Sequence, residues 1–414
     1  MDDSLQRPRL RPVDAFPVDA GPRRLICLRD PLNITTRIVG LPPQTVFIVS
    51  MMDGEHDLME IQCEHLKQFG EILPTPDLEQ LIAELDQNLL LESAHFQRHL
   101  KSLEDAWAAA STRTPTHAGS GYDPDSEVLA ARIEGYFLER EGPGKPPGGD
   151  PPSDRRLAGI IAPHIDFTRG GSTYAWAYRE LLADSEADTF VVLGTSHAPL
   201  SRYFSVSRKH FDTPFGVLET DLDFLDQLEK RTGQPLESDS LVHRSEHSIE
   251  LQSIWLRYLL RGRPCKIVPI LCGALIPMIA NGGSPRDEPE IVRFLDALRK
   301  TLADYDGRAV LIAAADLAHI GTGFGDPEPP AWTYMQAVEQ ADLKSLQACV
   351  ALNGDGFFRQ IQAEEDRRRI CGLSPIYAFL ESIEAGRGQL LKYRQCIDPS
   401  GFRNVTIASA AFYR

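Results

Sequence analysis

Three runs in the C-terminal two-thirds of the chain, residues 157–161, 189–193 and 309–315, are apolar without alternation. That is the pattern of strands buried on both faces of a parallel sheet. Between them apolar residues recur at helical spacing. From Leu157 the pattern predicts strand, helix, strand, loop, helix, strand, helix, strand, helix and a last strand near residues 404–412. Such alternation predicts a three-layer α/β/α domain built on a mostly parallel sheet.

The first hundred residues read differently. Residues 1–23, rich in Pro, Arg and Asp, are expected to be an extended segment that wraps or dangles. Short apolar pieces at 25–28 and 45–49 predict strands, and Met52-Asp53-Gly54-Glu55 a turn. Helices are predicted over 58–69 and 78–88, the second with Thr75 as N-cap and Pro76 at its first position. Leu89-Leu90-Leu91-Glu92 closes the unit. This order resembles a small α+β winged-helix domain, in particular the PqqD-like domains that recognise precursor peptides. A helix over 95–110 then leads to Ser111-Thr112-Arg113-Thr114-Pro115, giving a small domain over 24–111 and a large one over 112–414. The Pro- and Gly-rich stretch 141–154 looks like a linker by composition. It is read as an exposed loop, because the strand after it needs the helix before it.

A length of 414 residues agrees with two domains. With 43 basic and 59 acidic residues the net charge is −16, which disfavours nucleic acid and anionic membranes as partners. No stretch reaches the ~20 apolar residues of a membrane span, and Met1-Asp2-Asp3-Ser4 does not open a signal peptide, so a cytoplasmic location is expected. Seven scattered cysteines with no CxxC pair argue against disulfide scaffolding and a cysteine zinc cluster.

The chemistry gathers just past the apolar runs, in Ala162-Pro163-His164, Gly194-Thr195-Ser196-His197 and Asp316-Leu317-Ala318-His319. Strands of one parallel sheet would deliver all three histidines to the same edge. His243-Arg244-Ser245-Glu246-His247 precedes an amphipathic helix, and Cys371-Gly372 precedes another. Neutral imidazole suits iron, copper and zinc, and a thiolate adds softness. A His/His/Cys set would leave coordination positions open.

Together these segments resemble the Memo family, whose bacterial members include the B protein of the AmmeMemoRadiSam system. The match runs from His117-Ala118-Gly119-Ser120-Gly121-Tyr122 through the three histidine motifs, Glu246-His247-Ser248-Ile249-Glu250 and Val268-Pro269-Ile270-Leu271 to Cys371-Gly372 and Ser409-Ala410-Ala411. The resemblance implies a fold shared with class III extradiol dioxygenases, with His164, His197 and Cys371 as metal ligands. It further implies Fe(II), with copper or zinc as alternatives, a small-molecule substrate, and a radical-SAM protein or peptide partner met through the N-terminal domain. His247 and His319 become candidates for acid/base or substrate hydrogen bonding, and Glu246 and Asp316 for orienting imidazoles or capping helices. Where the family reads Ala-Gly-Tyr after the first histidine, this chain has Ile165-Asp166-Phe167. Asp166 could accept from the His164 ring or cap the next helix. Where a second histidine often follows His197, Ala198 stands.

Three other readings compete. His243-x-x-Glu246-His247 matches an inverted zinc-hydrolase motif, but needs both histidines on one continuous helix, and the turn-like residues before His243 place it in a loop. Cys371 could instead be a nucleophile activated by a neighbouring histidine. A metal-binding scaffold without catalysis is the third.

Overall fold

The computed structural model describes residues 5–20, 23–145, 156–183 and 186–414. It divides into two compact units, Met1–Ala110 and Ser111–Arg414. No helix among the described residues is long and apolar enough to cross a membrane.

In the first unit β1 (Asp14–Ala20), β2 (Arg23–Arg29) and β3 (Val39–Leu41) form an antiparallel sheet. The described part of the N-terminal segment is thus built into this unit: β1 pairs along β2, and buried Arg11 meets the buried Asp30 carboxylate at 3.3 Å. Residues 1–4 and 21–22 of that segment lie outside the described residues. The apolar piece 45–49 is helical, within α1 (Pro43–Ser50), where Pro43 sits in the first turn and suits a helix start. α2 (Leu58–Phe69) begins with a capping box between Asp57 and Glu60. α3 (Thr75–Gln87) has Thr75 inside the helix instead of at its cap, its hydroxyl accepting from Gln62 Nε2 at 3.1 Å. α4 (Ala94–Ala109) is capped by Ser93. Ile61, Leu78, Ile82 and Leu85 from these helices close on Leu28, Val39 and Leu41 of the sheet.

The second unit starts with β4 (Thr112–Arg113) and α5 (Ser126–Leu138). Of the loop expected over 141–154, residues 146–154 lie outside the described residues. Then follow β5 (Leu157–Ala162), α6 (Phe167–Ala183), β6 (Thr189–Thr195), β7 (Phe204–Val206), β8 (His210–Phe211), β9 (Glu219–Thr220) and α7 (Leu222–Thr232). After α8 (Ser240–Ser245) and α9 (His247–Leu259) come β10 (Lys266–Cys272), α10 (Ile276–Ala280), α11 (Pro289–Ala303), β11 (Ala309–Ala314) and β12 (Asp316–Ile320). The chain ends with α12 (Trp332–Val350), α13 (Gly354–Ala363), α14 (Leu373–Ser382), β13 (Arg387–Cys396) and β14 (Asn404–Tyr413).

The main sheet runs β12-β14-β5-β11-β6-β10-β7. Its inner strands β5, β11, β6 and β10 are parallel and almost wholly buried, as their unbroken apolar runs require. Helices α14 and α11 cover one face; α6 and α9 lie on the other. The flanks depart from the expected mostly parallel order: β14 is antiparallel to β5, β13 and β12 pair antiparallel with β14, and β7 is antiparallel to β10. β12 carries the consequence for chemistry. After β11 the chain crosses to the far side of β14, so Asp316 stays near the edge of β5 while His319 lies three extended residues, ~10 Å, farther along.

Candidate metal centre

His164 follows β5 and His197 follows β6, the two strands flanking β11. The His164 ring donates from Nδ1 to the Ala314 carbonyl at 2.8 Å, so the end of the intervening strand fixes its tautomer and aims Nε2 away. Its backbone N–H donates to Asp316 Oδ1 at 2.8 Å, and Asp316 Oδ2 lies 3.7 Å from Nε2. His197 is held by Glu246, which accepts from its backbone N–H at 2.8 Å and from Nδ1 at 3.0 Å.

Cys371 arrives from the opposite layer, on the loop before α14. Gly372 lets that loop lie flat on β12, since a Cβ there would stand 2.5 Å from Ala315 Cβ and the Asp316 carbonyl oxygen. The Cys371 and Gly372 N–H groups donate to the Leu317 and Asp316 carbonyls at 3.1 and 2.8 Å. Cys371 Sγ thereby sits 3.2 Å from His164 Nε2 and 3.3 Å from His197 Nε2.

Helix α9 brings a third imidazole. Gly194 allows its first turn to touch β6, because a Cβ there would lie 2.6 Å from Ile249 and from Ser248 Oγ. Ser248 Oγ donates to the Thr195 carbonyl and Gln252 Nε2 to the Pro163 carbonyl, both at 2.8 Å, so one helix fastens the ends of both histidine strands. The His247 ring lies 4.5 Å from that of His197 and 5.4 Å from that of His164, its Nδ1 3.2 Å from Glu246 Oε1. One nitrogen from each of His164, His197 and His247 falls within 4.8 Å of the other two, a spacing that could hold a metal ion.

Burial favours the neutral form of every group here, and at all but His247 the charges outweigh it. For His164 the Asp316 carboxylate and the Cys371 thiolate overcome burial and raise the pKa to about 9. Burial is likewise outweighed at His197, where Glu246 and Cys371 hold the ring well above the ordinary imidazole value. At Cys371 burial would keep the thiol protonated, but His164 and His197 drive it well below the ordinary thiol range. Glu246 is held well below the carboxylate range, its burial offset by His197 and His247. His247 goes down, through burial and then repulsion from His197. These directions favour a thiolate against imidazolium, with protons standing where a metal ion would take the ring lone pairs.

The donor set fits a first-row ion. Ligand bonds of about 2.0–2.1 Å to nitrogen and 2.3 Å to sulfur place neighbouring donors about 3.1–3.6 Å apart, and both Cys371–imidazole separations lie in that range.

Other expected residues lie elsewhere. His319 is not one of the rings gathered here; its Nδ1 meets the Leu317 carbonyl at 3.1 Å and its ring packs on Phe324. Asp166 caps α6, accepting from the Arg169 N–H at 3.0 Å and ion-pairing with the Arg169 side chain. Glu246 both caps α9 and orients imidazoles, so the two alternatives for it coincide. His243 is in the short helix α8, not a loop, buried and pushed down to about 3 by burial and by Arg113. Glu246, with ψ 130°, interrupts the helix between His243 and His247, so the zinc-hydrolase geometry is not formed.

Sequence reasoning missed the arrangement around Glu250. That buried carboxylate ion-pairs with Arg113 at 2.6 Å, accepts from Tyr122 Oη at 2.8 Å and lies 3.2 Å from His117 Nδ1. Its position four residues after Glu246 on α9 was the available signal.

A family model described as Memo-like protein matches residues 113–413. A MEMO1 family protein of Aquifex aeolicus is 28% identical over 410 residues, spanning 98% of this chain and all of the relative. MEMO1 family proteins of Desulfurococcus amylolyticus and Methanopyrus kandleri are 30% and 29% identical over 303 and 304 residues, in each case 72% of this chain and 97% of the relative.

Proposed function

Since the chain belongs to the Memo-like protein family, we propose that its C-terminal unit is a non-haem metal protein with His164, His197 and Cys371 as ligands. The observation that carries this reading is the meeting of Cys371 Sγ with two inward-facing Nε2 atoms at 3.2 and 3.3 Å. Fe(II) is the ion we assign, with copper and zinc as competitors for the same soft donor set. When bound, it would supply Lewis acidity and one-electron chemistry.

The residues around it then divide the work. Glu246 and the Ala314 carbonyl lock the ring tautomers. His247, with Nδ1 on Glu246 and a lowered pKa, keeps a neutral Nε2 able to accept or return a proton from a small molecule at the open side. Asp316 fixes the backbone of His164 and compensates its charge. The reaction class we assign is redox or oxygen-dependent chemistry on a small molecule or peptide, by analogy with extradiol dioxygenases. The N-terminal unit would serve a radical-SAM partner or its peptide. Whole-protein similarity to the Aquifex relative, against shorter archaeal relatives, supports that unit being an addition to a self-sufficient metal domain.

A second reading makes His247 a third nitrogen ligand, since it shares the 4.8 Å cluster. Metal analysis and absorption spectroscopy of anaerobically purified protein test both. A thiolate-to-metal band lost in Cys371→Ser supports the first reading; stoichiometric metal without thiolate ligation favours the second.

A further inference from the structure

Four imidazoles, not three, surround this site. Residues 112–122 run beside the start of α9, and His117 places its ring 5.3 Å from that of His247 at 51°. Both polar contacts of the His117 ring fall on Nδ1, which lies 3.0 Å from Thr116 Oγ1 and 3.2 Å from Glu250 Oε2. Nε2 has no partner among the described residues, and with the ring proton on Nδ1 it carries a lone pair. The anchor is strongly built. Glu250 also receives Arg113, Tyr122, and the backbone N–H groups of Thr116 and His117. It repeats one turn along α9 what Glu246 does for His197 and His247.

Exposure tells the sides of the site apart. The side chains of His164 and Asp316 are 2% and 3% exposed, whereas those of His117, His197 and His247 are 27%, 40% and 31% exposed. His117 therefore stands beside His247 on the more exposed side of the cluster, its ring orientation fixed in advance.

We propose that His117 is a ligand-contacting residue: with its Nδ1 proton on the Glu250 carboxylate, Nε2 accepts a hydrogen bond from the part of a bound small molecule that projects away from the metal. The molecule is accordingly a small compound with one atom for the metal and, beyond it, an O–H or N–H group that Nε2 can receive. This deepens the metal-site reading and rests on it.

The test uses cobalt(II)-loaded full-length protein, with imidazole as the probe, which binds a metal through one nitrogen and presents an N–H away from it, in wild type, His117→Ala and His117→Gln. Cobalt content and thermal stability should be alike in all three, because Glu250 keeps its other donors. Imidazole affinity, read from the cobalt spectrum, should fall about fivefold in His117→Ala, the scale of one lost neutral hydrogen bond. It should return at least partly in His117→Gln, whose amide oxygen can accept. Equal imidazole affinity in wild type and His117→Ala overturns the proposal, as does a wild-type site that takes cobalt but no imidazole. Loss of cobalt in both variants also overturns it, by giving His117 a structural or ligating role. Wild-type protein that takes up no metal refutes the metal reading itself, a separate result read before any imidazole is added.

Discussion

Glu246 holds His197 at two points, accepting from its backbone N–H at 2.8 Å and from its Nδ1 at 3.0 Å, while its own backbone ends α8 and opens α9. The same carboxylate also accepts from the Ser248 N–H at 3.0 Å. A helix cap and an imidazole orienter are thus one group, and the site's geometry is tied to the start of a buried helix.

Replacing Glu246 by Gln keeps an acceptor for the cap but weakens the charge-assisted bond to the ring. Metal affinity is expected to fall by about 10–100-fold, with a loss of roughly 1 kcal/mol in stability at most from the altered cap. Competition against a chromophoric chelator measures the first and thermal unfolding of the metal-free protein the second. Unchanged affinity would mean that Glu246 serves only α9.

Cys371→Ser and His197→Ala should each reduce metal occupancy more than His247→Ala does. His247→Ala should chiefly slow turnover once a substrate is in hand. Elemental analysis of the three variants decides it. Equal losses would make His247 a ligand and bring the three-histidine arrangement to the fore.

Much of this centre is legible in the sequence, and the parts that are not have physical causes. β5, β6 and β11 show themselves because strands buried on both faces must be apolar throughout, and their ends deliver His164 and His197. β13 does not, since Arg387–Cys396 is only partly buried and mixes polar with apolar residues. Missing it hides the antiparallel flank, and with it the crossing that carries His319 away on β12. The contact between His117 and Glu250 spans 133 residues, so only the fold discloses it.

Acidity should oppose metal binding. In the metal-free protein the pKa of His164 is raised from 6.5 to about 9. Its imidazolium therefore favours folding fully below about 6.5, and that contribution fades as pH rises through about 9. Metal binding has the opposite sign, because the ion must displace that proton and the one on His197, also raised. Affinity should climb between pH 6.5 and 9, by up to about tenfold per pH unit for each proton displaced. A flat profile in chelator competition would contradict the thiolate–imidazolium pairing.

The same pairing makes the thiol reactive. Cys371 is held well below the ordinary thiol range, while Cys272 and Cys349 are buried and pushed above it. Iodoacetamide at neutral pH should therefore label Cys371 in metal-free protein, along with exposed Cys63, and bound metal should protect Cys371 alone. Peptide mass spectrometry with and without zinc reads this directly. Protection of neither residue would leave Cys371 outside the coordination sphere.

The division of the chain allows a test of what the first unit is for. A fragment beginning at Ser111 keeps Arg113, the anchor of Glu250, together with every proposed ligand. It also approximates the archaeal relatives, whose length is 97% covered by alignments spanning 72% of this chain. It should fold cooperatively and bind metal with the affinity of the whole protein. If the first unit recognises a radical-SAM partner or its peptide, co-purification with such a partner should be lost in the fragment while the thiolate-to-metal spectrum is unchanged. An insoluble fragment, or one that binds no metal, would instead make residues 1–110 part of what stabilises the metal domain, and the recognition role would lose its support.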